Sequence, residues 1–553
     1  MFEFWSDDAL ANIGLERQQD QFRIAIPQDT NIYHLTVGAQ IKAGQADLPA
    51  IVFETEDGSL QRWTFGEVDT QATALAANLR GRGYGRGDYI GLHTGMRPET
   101  AIAHMAICKL GATAVTLSQL YGPDALAHAL NHCKARCLLS TEGAWSSLRG
   151  EAEFMLPHLE DVLVVDSCGT GPDLTAILAS APPTDFVADY TSADDPALLM
   201  YTSGSTGMPK GILHGHRVLA SYRPSINLFF DLALKDADAV YWSPSDWAWV
   251  GGLLDMLFPA WMAGRPVVTS EARFNAAWAY RFMARHKITH TFLAPTAIKR
   301  LAETREPREV FDLALRVICT GGEALAAETL GWAEDKLGVI CNEFYGMTEV
   351  NHLIGNCSAL FPRKPGSMGR AYPGHDVRLV DAGGQEVEPG EPGEIVTLNT
   401  APTRYLGYLD NPEKETELAL GDFMRTHDLA VRDEDGYFWY KGRLDDLIKS
   451  SGFRIGPAEI EDCLLAHPAV AETGVIGKPD PDRGNIIKAF VRLSAGTIGD
   501  AELTAELKMH VRTRLAAYKA PREIEYVADF EMTSSGKINR RALRACELAE
   551  QGA

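Results

Sequence analysis

Residues 197–211 read ALLMYTSGSTGMPKG, an apolar run that gives way to a loop of Thr, Ser and Gly and closes on a lysine. The apolar half has the length and uniformity of a buried strand. In the loop, Gly204 and Gly207 let successive backbone amides turn inward as an anion nest, and Thr202, Ser203, Ser205 and Thr206 add hydroxyl donors. Lys210 adds positive charge. The spacing is not that of a Walker A loop, which needs GxxxxGK[ST]. By composition alone such a loop is more often a flexible turn than a phosphate site.

Upstream of this stretch, from about residue 50, short apolar runs alternate with longer helical ones. AIVFET is followed by a helix opened by a Thr64 to Glu67 capping box, YIGLHT by a helix near Pro98 to Leu110, and ATAVTL by a helix from about Pro123 that leads to CLLST. The rhythm continues in the helix after Gly215 and in THTFLAP and LRVICTGGE. Strand, helix, strand in repetition predicts an α/β chain with helix-covered, mostly parallel sheets.

Near the end the pattern changes. VRDEDGYFWYKG reads as a hairpin around Asp435 and Gly436, and LDDLIKSSGFRI as another short pair around Ser451 and Gly452. A helix from Pro457, two strands, a helix from about Asp500 and a basic tail follow. The boundary falls at Arg443 to Asp446, giving a large domain over 1–443 and a small α+β domain over 444–553, big enough to fold as its own unit.

The 553 residues exceed the roughly 100–200 of a typical domain, in keeping with that division. A hydrophobic content of 46% and a charged content of 23% fit a globular protein with no obligately disordered tract. The formal charge of −22 argues against a nucleic-acid partner, because phosphate backbones need a basic surface. After Arg443 there are 17 acidic and 15 basic residues, a net of −2, so −20 belongs to the larger part. The nine cysteines show no paired CxxC spacing, and Cys133 with Cys137 reads as buried thiols rather than a metal site. A reducing, cytoplasmic location is expected. MFEFWSDDALANIG has acidic residues where an export signal carries positive charge. The most apolar stretch, Trp247 to Gly264, is interrupted by Asp255 and Pro259 and reads as a buried helix or pocket wall rather than an integral membrane segment.

The complete string Tyr201 to Gly211 resembles the signature loop of the adenylate-forming superfamily, which includes acyl-CoA synthetases, peptide-synthetase adenylation domains and luciferases. Further strings resemble that family's motifs in order. In NEFYGMTEV, Asn342 to Val350, the resemblance implies that Glu349 holds Mg²⁺, Thr348 binds a phosphate oxygen and Tyr345 and Gly346 lie near the adenine. Gly321, Gly322 and Glu323 match the stretch that passes the adenine and the acyl pocket. In RTHDLAVRDEDGYFWYKGR, Asp428 would accept from both ribose hydroxyls and Arg443 would contact the same sugar. LDDLIKSSGFRIGPAEIE is similar to the hinge of a mobile C-terminal domain, with Asp445 as hinge, Gly452 on the pantetheine tunnel and Arg454 reaching the phosphates. MTSSGKINRRALR resembles the loop that delivers the catalytic lysine, here Lys537. Without the resemblance, Lys537 with Arg540 and Arg541 reads as a solvated basic patch. One departure is Glu531, where the family commonly has proline.

The resemblance runs from about Trp63 to Arg544. It implies a large domain of helix-covered sheets with a β subdomain and a small mobile α+β lid, using ATP, Mg²⁺ and coenzyme A on a small-molecule carboxylic acid. No carrier module follows Lys537, which favours a stand-alone CoA ligase over an adenylating enzyme that serves a carrier protein. SPSDWAWVGGL resembles the pocket wall of the acetyl to medium-chain branch, which sets Trp249 and Val250 against the acyl chain. Acetate-specific members place a tryptophan where this chain has Gly346, and Gly321 likewise replaces a bulkier residue. Each buried CH₂ is worth about 0.8 kcal/mol, so an acid larger than acetate is expected. Neutralising Lys537 by an acetyltransferase, with a deacetylase to reverse it, is an expected switch. A homo-oligomer is compatible with the sequence.

Overall fold

The structure is a computed structural model that describes residues 6–551 except 19–20, 170, 203–208, 305, 324, 445, 451–452, 481–482 and 534–537; it leaves undescribed the side chains of 21, 150–154, 449, 453–454 and 548–551. Two large sheets dominate. The first has seven strands. Its parallel set runs, in spatial order, Pro196–Thr202, Thr113–Thr116, Tyr89–His93, Cys137–Thr141 and Asp161–Val165. Lys210–Gly215 and Gly407–Tyr408 extend it antiparallel beyond Pro196–Thr202.

The second sheet has 14 strands and changes character partway across. Strands Ile340–Met347, Val317–Gly321, His290–Phe292, Tyr241–Trp242, Val267–Ser270 and Pro49–Glu54 pair in parallel. On its other edge Ile340–Met347 pairs antiparallel with Asn351–Gly355. From there the sheet continues antiparallel through Gly369–Ala371, Tyr437–Arg443, Phe423–Arg432, Pro392–Leu398 and Val377–Val380. The strand carrying Tyr345 and Gly346 is thus the one where parallel pairing becomes antiparallel. Tyr345 and Gly346 therefore lie between a parallel and an antiparallel neighbour, with the turn that carries Thr348 and Glu349 directly after them.

Local chemistry accounts for the helices between these strands. Helix Phe65–Gly81 starts with the expected capping box, in which the Glu67 carboxylate accepts from Thr64 N–H at 2.8 Å and Thr64 Oγ1 accepts from Glu67 N–H at 3.2 Å. Helix Pro98–Leu110 opens on proline and ends where Gly111 turns left-handed, and almost all of it is buried between the sheets. The apolar stretch from Trp247 folds as a short turn Val250–Gly252, a π-type turn Leu253–Leu257 and helix Phe258–Met262, with Leu253 to Trp261 buried. Among the described residues no helix is long and apolar enough to cross a membrane. Cys133 and Cys137 are buried thiols, and burial pushes Cys133 up to about 11.

After Arg443, Ile448–Ser450 and Phe453–Ile455 form a short antiparallel pair, and Val470–Asp480, Gly484–Leu493 and Glu523–Tyr526 form a three-stranded sheet. Helices Pro457–Leu465 and Ala501–Arg514 cover that sheet around a core that includes Ile460, Leu464, Val475 and Val491. The expected basic tail is instead a helix, Arg540–Gln551. Arg540 is not a solvated charge, because Glu461 and Asp446 hold its guanidinium, while Arg544 lies 2.6 Å from Asp446.

Candidate active site

Thr202 and Lys210 face each other directly in antiparallel register, so the signature loop is the connection of a hairpin whose first strand lies in the middle of a sheet. Ser203, Gly204, Ser205, Thr206 and Gly207 lie outside the described residues. Both feet of the loop are fixed by helix Pro123–His132. His128 Nε2 is 3.0 Å from the Pro209 carbonyl, His132 Nδ1 is 3.0 Å from the Tyr201 hydroxyl, and that hydroxyl donates to Ala129 O at 2.9 Å. Tyr121 donates to Tyr201 O at 3.2 Å and meets Trp249 edge to face at 6.0 Å. The foot of the loop and the expected acyl wall therefore share one aromatic neighbour.

The Tyr-Gly-x-Thr-Glu element spans the end of Ile340–Met347 and the turn after it. Tyr345 donates to Asp428 Oδ2 at 2.7 Å, and Tyr440 donates to Oδ1 at 3.2 Å. Asp428 pairs with Arg443 across the hairpin that the sequence predicted. Thr348 offers its backbone to the buried His214 on Lys210–Gly215.

Glu349 is buried, and burial pushes its carboxyl up. Its hydrogen-bonding partner is the Tyr408 hydroxyl, and the charges of Arg443 and Lys414 act on it from farther away. Tyr408 belongs to the strand that pairs with Ile212, two residues from Lys210, and Leu409 N–H donates to Gly211 O at 2.9 Å. A buried carboxylate met by a phenol rather than by an ammonium or guanidinium has the donor chemistry to hold a hard cation. The donor set fits Mg²⁺.

Gly321 pairs with Phe344, and Gly322 has φ +87°, a conformation that suits glycine. Glu323 accepts from Thr296 Oγ1 at 2.7 Å. A side chain at Gly321 would meet the Phe344 ring at 2.8 Å, and one at Gly346 would lie 1.8 Å from the Asn351 carbonyl. Packing therefore imposes both glycines. Trp249 precedes the turn Val250–Gly252. That turn is fastened to the first sheet, because Ser118 donates to Asp246 at 2.6 Å and Thr116 donates to Ala248 O at 2.9 Å. Gly251 leaves room for Phe292, whose ring would lie 2.5 Å from a Cβ there.

Gly452, Asp445 and Lys537 lie outside the described residues, as does the side chain of Arg454, whose backbone pairs with Lys449. The sequence reading missed Tyr408, Tyr440, His128 and Phe344. Only the GY of RYLGYLDNP hinted at a loop near Tyr408, whereas the others are a helix residue and strand residues whose role depends on register.

Asp428 beside Tyr345 and the buried Glu349 beside Tyr408, whose strand pairs with Lys210–Gly215, fit a nucleotide-dependent enzyme of the adenylate-forming class. The chain matches the AMP-binding enzyme family over residues 39–409 and the AMP-binding enzyme C-terminal domain over residues 459–537. It belongs to the AMP-binding enzyme family. It is similar to acetyl-coenzyme A synthetase of Bacillus subtilis (strain 168), 34% identical over 88% of this chain and 86% of that one. Acyl-coenzyme A synthetase ACSM5, mitochondrial, of Mus musculus is 35% identical over 94% of this chain and 91% of its own. The crystal structure of the anthranilate CoA ligase AuaEII with anthranoyl-AMP superposes with a TM-score of 0.86 at 30% identity, covering 95% of this chain and 99% of that one.

Proposed function

We propose that this chain activates a carboxylic acid larger than acetate as its acyl-adenylate, releasing pyrophosphate, and then passes the acyl group to coenzyme A. The observation that carries the reading is the meeting, at the end of strand Ile340–Met347 and in the turn after it, of Tyr345 with Asp428 at 2.7 Å and of Glu349 with Tyr408, whose strand pairs with Lys210–Gly215. A carboxylate held by two phenols presents oxygens to a ribose diol. Lys210 stands at the foot of a loop suited to phosphates.

The first step is in-line attack of the substrate carboxylate on the α-phosphorus of ATP, with catalysis by positioning and charge neutralisation. Glu349 would hold Mg²⁺, which when bound would supply charge neutralisation on the triphosphate. Lys537 contacts the reacting oxygens and Arg454 the phosphates. In the second step the thiol of coenzyme A attacks the acyl carbon and AMP leaves. The residues after Arg443 form a lid that turns on Asp445, withdrawing Lys537 and bringing Gly452 to the thiol path. The acyl wall of Trp249, Val250, Phe292 and Phe344 is apolar throughout, and no side chain projects from 321 or 346. The anthranilate named for the similar CoA ligase supports a larger acid.

The test is pyrophosphate release over a panel from acetate to octanoate with benzoate, with and without coenzyme A. Acid-dependent release and thioester formation that favour an acid above acetate are the expected result. Preference for acetate overturns the acyl half, and release without thioester supports the alternative of a carrier-protein acceptor.

A further inference from the structure

Behind the active-site strand lies a buried polar network that the reaction does not use directly. His352 on Asn351–Gly355 places Nε2 at 2.8 Å from Asp255 Oδ1 and Nδ1 at 3.0 Å from Ser225 Oγ. Exposures are 1% for His352, 2% for Asp255 and 1% for Ser225. Serine, histidine and aspartate in series have the connectivity of a hydrolytic triad. Here Ser225 sits inside helix Arg217–Phe229, within reach of Tyr222 O at 3.0 Å, closed off from any substrate. The network is therefore a positioning device or a purely structural one. Burial pushes the Asp255 carboxyl up and His352 opposes that shift. A buried polar pair of this kind is rarely needed to stabilise a core, since apolar replacements serve as well.

Its contacts lead to the acyl wall. The His352 ring packs on Phe344 at 4.4 Å between centroids and on Phe229 at 4.8 Å. Phe344 lies against Gly321 and, at 5.9 Å, against Phe292. Phe292 fills the space left by Gly251, next to Val250. Asp255 belongs to the π-type turn that follows Val250–Gly252, so the contacts close a ring from the pocket wall through His352 and Phe344 back to the wall. A π-type turn in a helical stretch often marks a functional position.

We infer that the Asp255–His352 pair is a positioning pair that fixes the Phe344 ring as the floor of the acyl pocket and so sets the size of acid accepted. The inference rests on the proposed placement of the acyl group against Trp249, Val250 and Gly321. It does not depend on which acid the wild type prefers.

The test compares wild type, Asp255→Asn and the double variant Asp255→Leu with His352→Leu on the same acid panel. The double replacement strands no charge. Its expected profile moves toward bulkier acids by about tenfold in relative kcat/KM, a change of about 1.4 kcal/mol, with the KM for ATP kept within about twofold. Asp255→Asn keeps an acceptor for the imidazole N–H and is expected to retain the wild-type profile. A folded double variant with the wild-type profile overturns the inference, and so does an equal loss on every acid. If the double variant does not fold, Ser225→Ala, which removes only the Nδ1 partner, is expected to shift the profile in the same direction by less, and an unmoved profile overturns the inference. A wild type that releases no pyrophosphate with any acid brings down the activity reading itself, whereas a discriminating wild type with unmoved variants brings down only this inference.

Discussion

The Tyr345 hydroxyl donates to Asp428 Oδ2 at 2.7 Å, joining strand Ile340–Met347 to the hairpin strand Phe423–Arg432. Tyr440 takes the other carboxylate oxygen at 3.2 Å, so both phenols orient Asp428. Tyr345→Phe is expected to cost about 1–3 kcal/mol, because it takes one donor from a buried carboxylate. Thermal unfolding checks the stability, and kinetics should show a higher KM for ATP with little change in the KM for the acid. Equal changes in both would dissociate Asp428 from the nucleotide.

Tyr408 makes a second test of the same kind at Glu349. Without substrates the phenol is the hydrogen-bonding partner of a buried carboxylate. Tyr408→Phe is expected to lower stability by about 1–3 kcal/mol in the absence of ligand. Magnesium and ATP should recover most of that loss, because a ligand that supplies the missing partner binds the folded state preferentially. Melting curves with and without Mg·ATP decide it, and a deficit that persists unchanged in their presence removes Glu349 from the cation site.

Much of this fold was legible in the sequence because its signals are local. The capping box at Thr64, the proline at 98 with the glycine at 111, and the Asp435-Gly436 turn each fix an element within a few residues. Register across a sheet is not local. Nothing in RYLGYLDNP says that Tyr408 will face Glu349, and nothing in VNHLIG says that His352 will reach Asp255. The basic look of Arg540 likewise misled, since its partners Glu461 and Asp446 are about 80 and 90 residues away in sequence.

Glu343, two residues before Tyr345, gives a pH test. It is fully enclosed, and burial, opposed by the Leu325 N–H and reinforced by the charge of Asp462, pushes its carboxyl up to about 8. The folded state therefore holds a proton that the unfolded state gives up from about pH 4.5. The stability from this group is complete below about pH 4.5 and is lost as pH rises through about 8. Glu343→Gln removes that dependence. Denaturant unfolding between pH 5 and 9 should show the variant gaining on wild type as pH rises, and parallel curves would place the proton elsewhere.

Lys537 tests the division between the half-reactions. If the lysine serves only adenylation, Lys537→Ala should reduce pyrophosphate release from acid and ATP by at least about a hundredfold, the scale of losing one preorganised donor to developing charge. Thioester formation from preformed acyl-adenylate should stay within about threefold of wild type. Rapid-quench assays of each half-reaction measure both, and equal losses would sink the two-position lid. Mass spectrometry of protein from cells tests whether the same lysine carries an acetyl group.

Gly346 separates two explanations of one residue. Read as an absent indole, it is a vacancy in the acyl pocket, and Gly346→Trp should simply convert the enzyme to acetate. The backbone gives a different reason, since a Cβ at 346 would lie 1.8 Å from the carbonyl of Asn351, itself at φ +59° beside a register shift between Tyr345 and Gly346. Even Gly346→Ala must displace main chain, with an expected cost of about 1–3 kcal/mol or more. Gly321→Ala meets the Phe344 ring at 2.8 Å and the Phe344 carbonyl at 2.9 Å, a milder conflict, so it should lower Tm less. Melting temperatures of the two alanine variants rank these costs. For Gly346→Trp the expected result is loss of stability and of turnover on every acid; a variant that melts with wild type and prefers acetate to butyrate would show that the strand can re-form around the indole and that pocket volume alone governs the choice of acid.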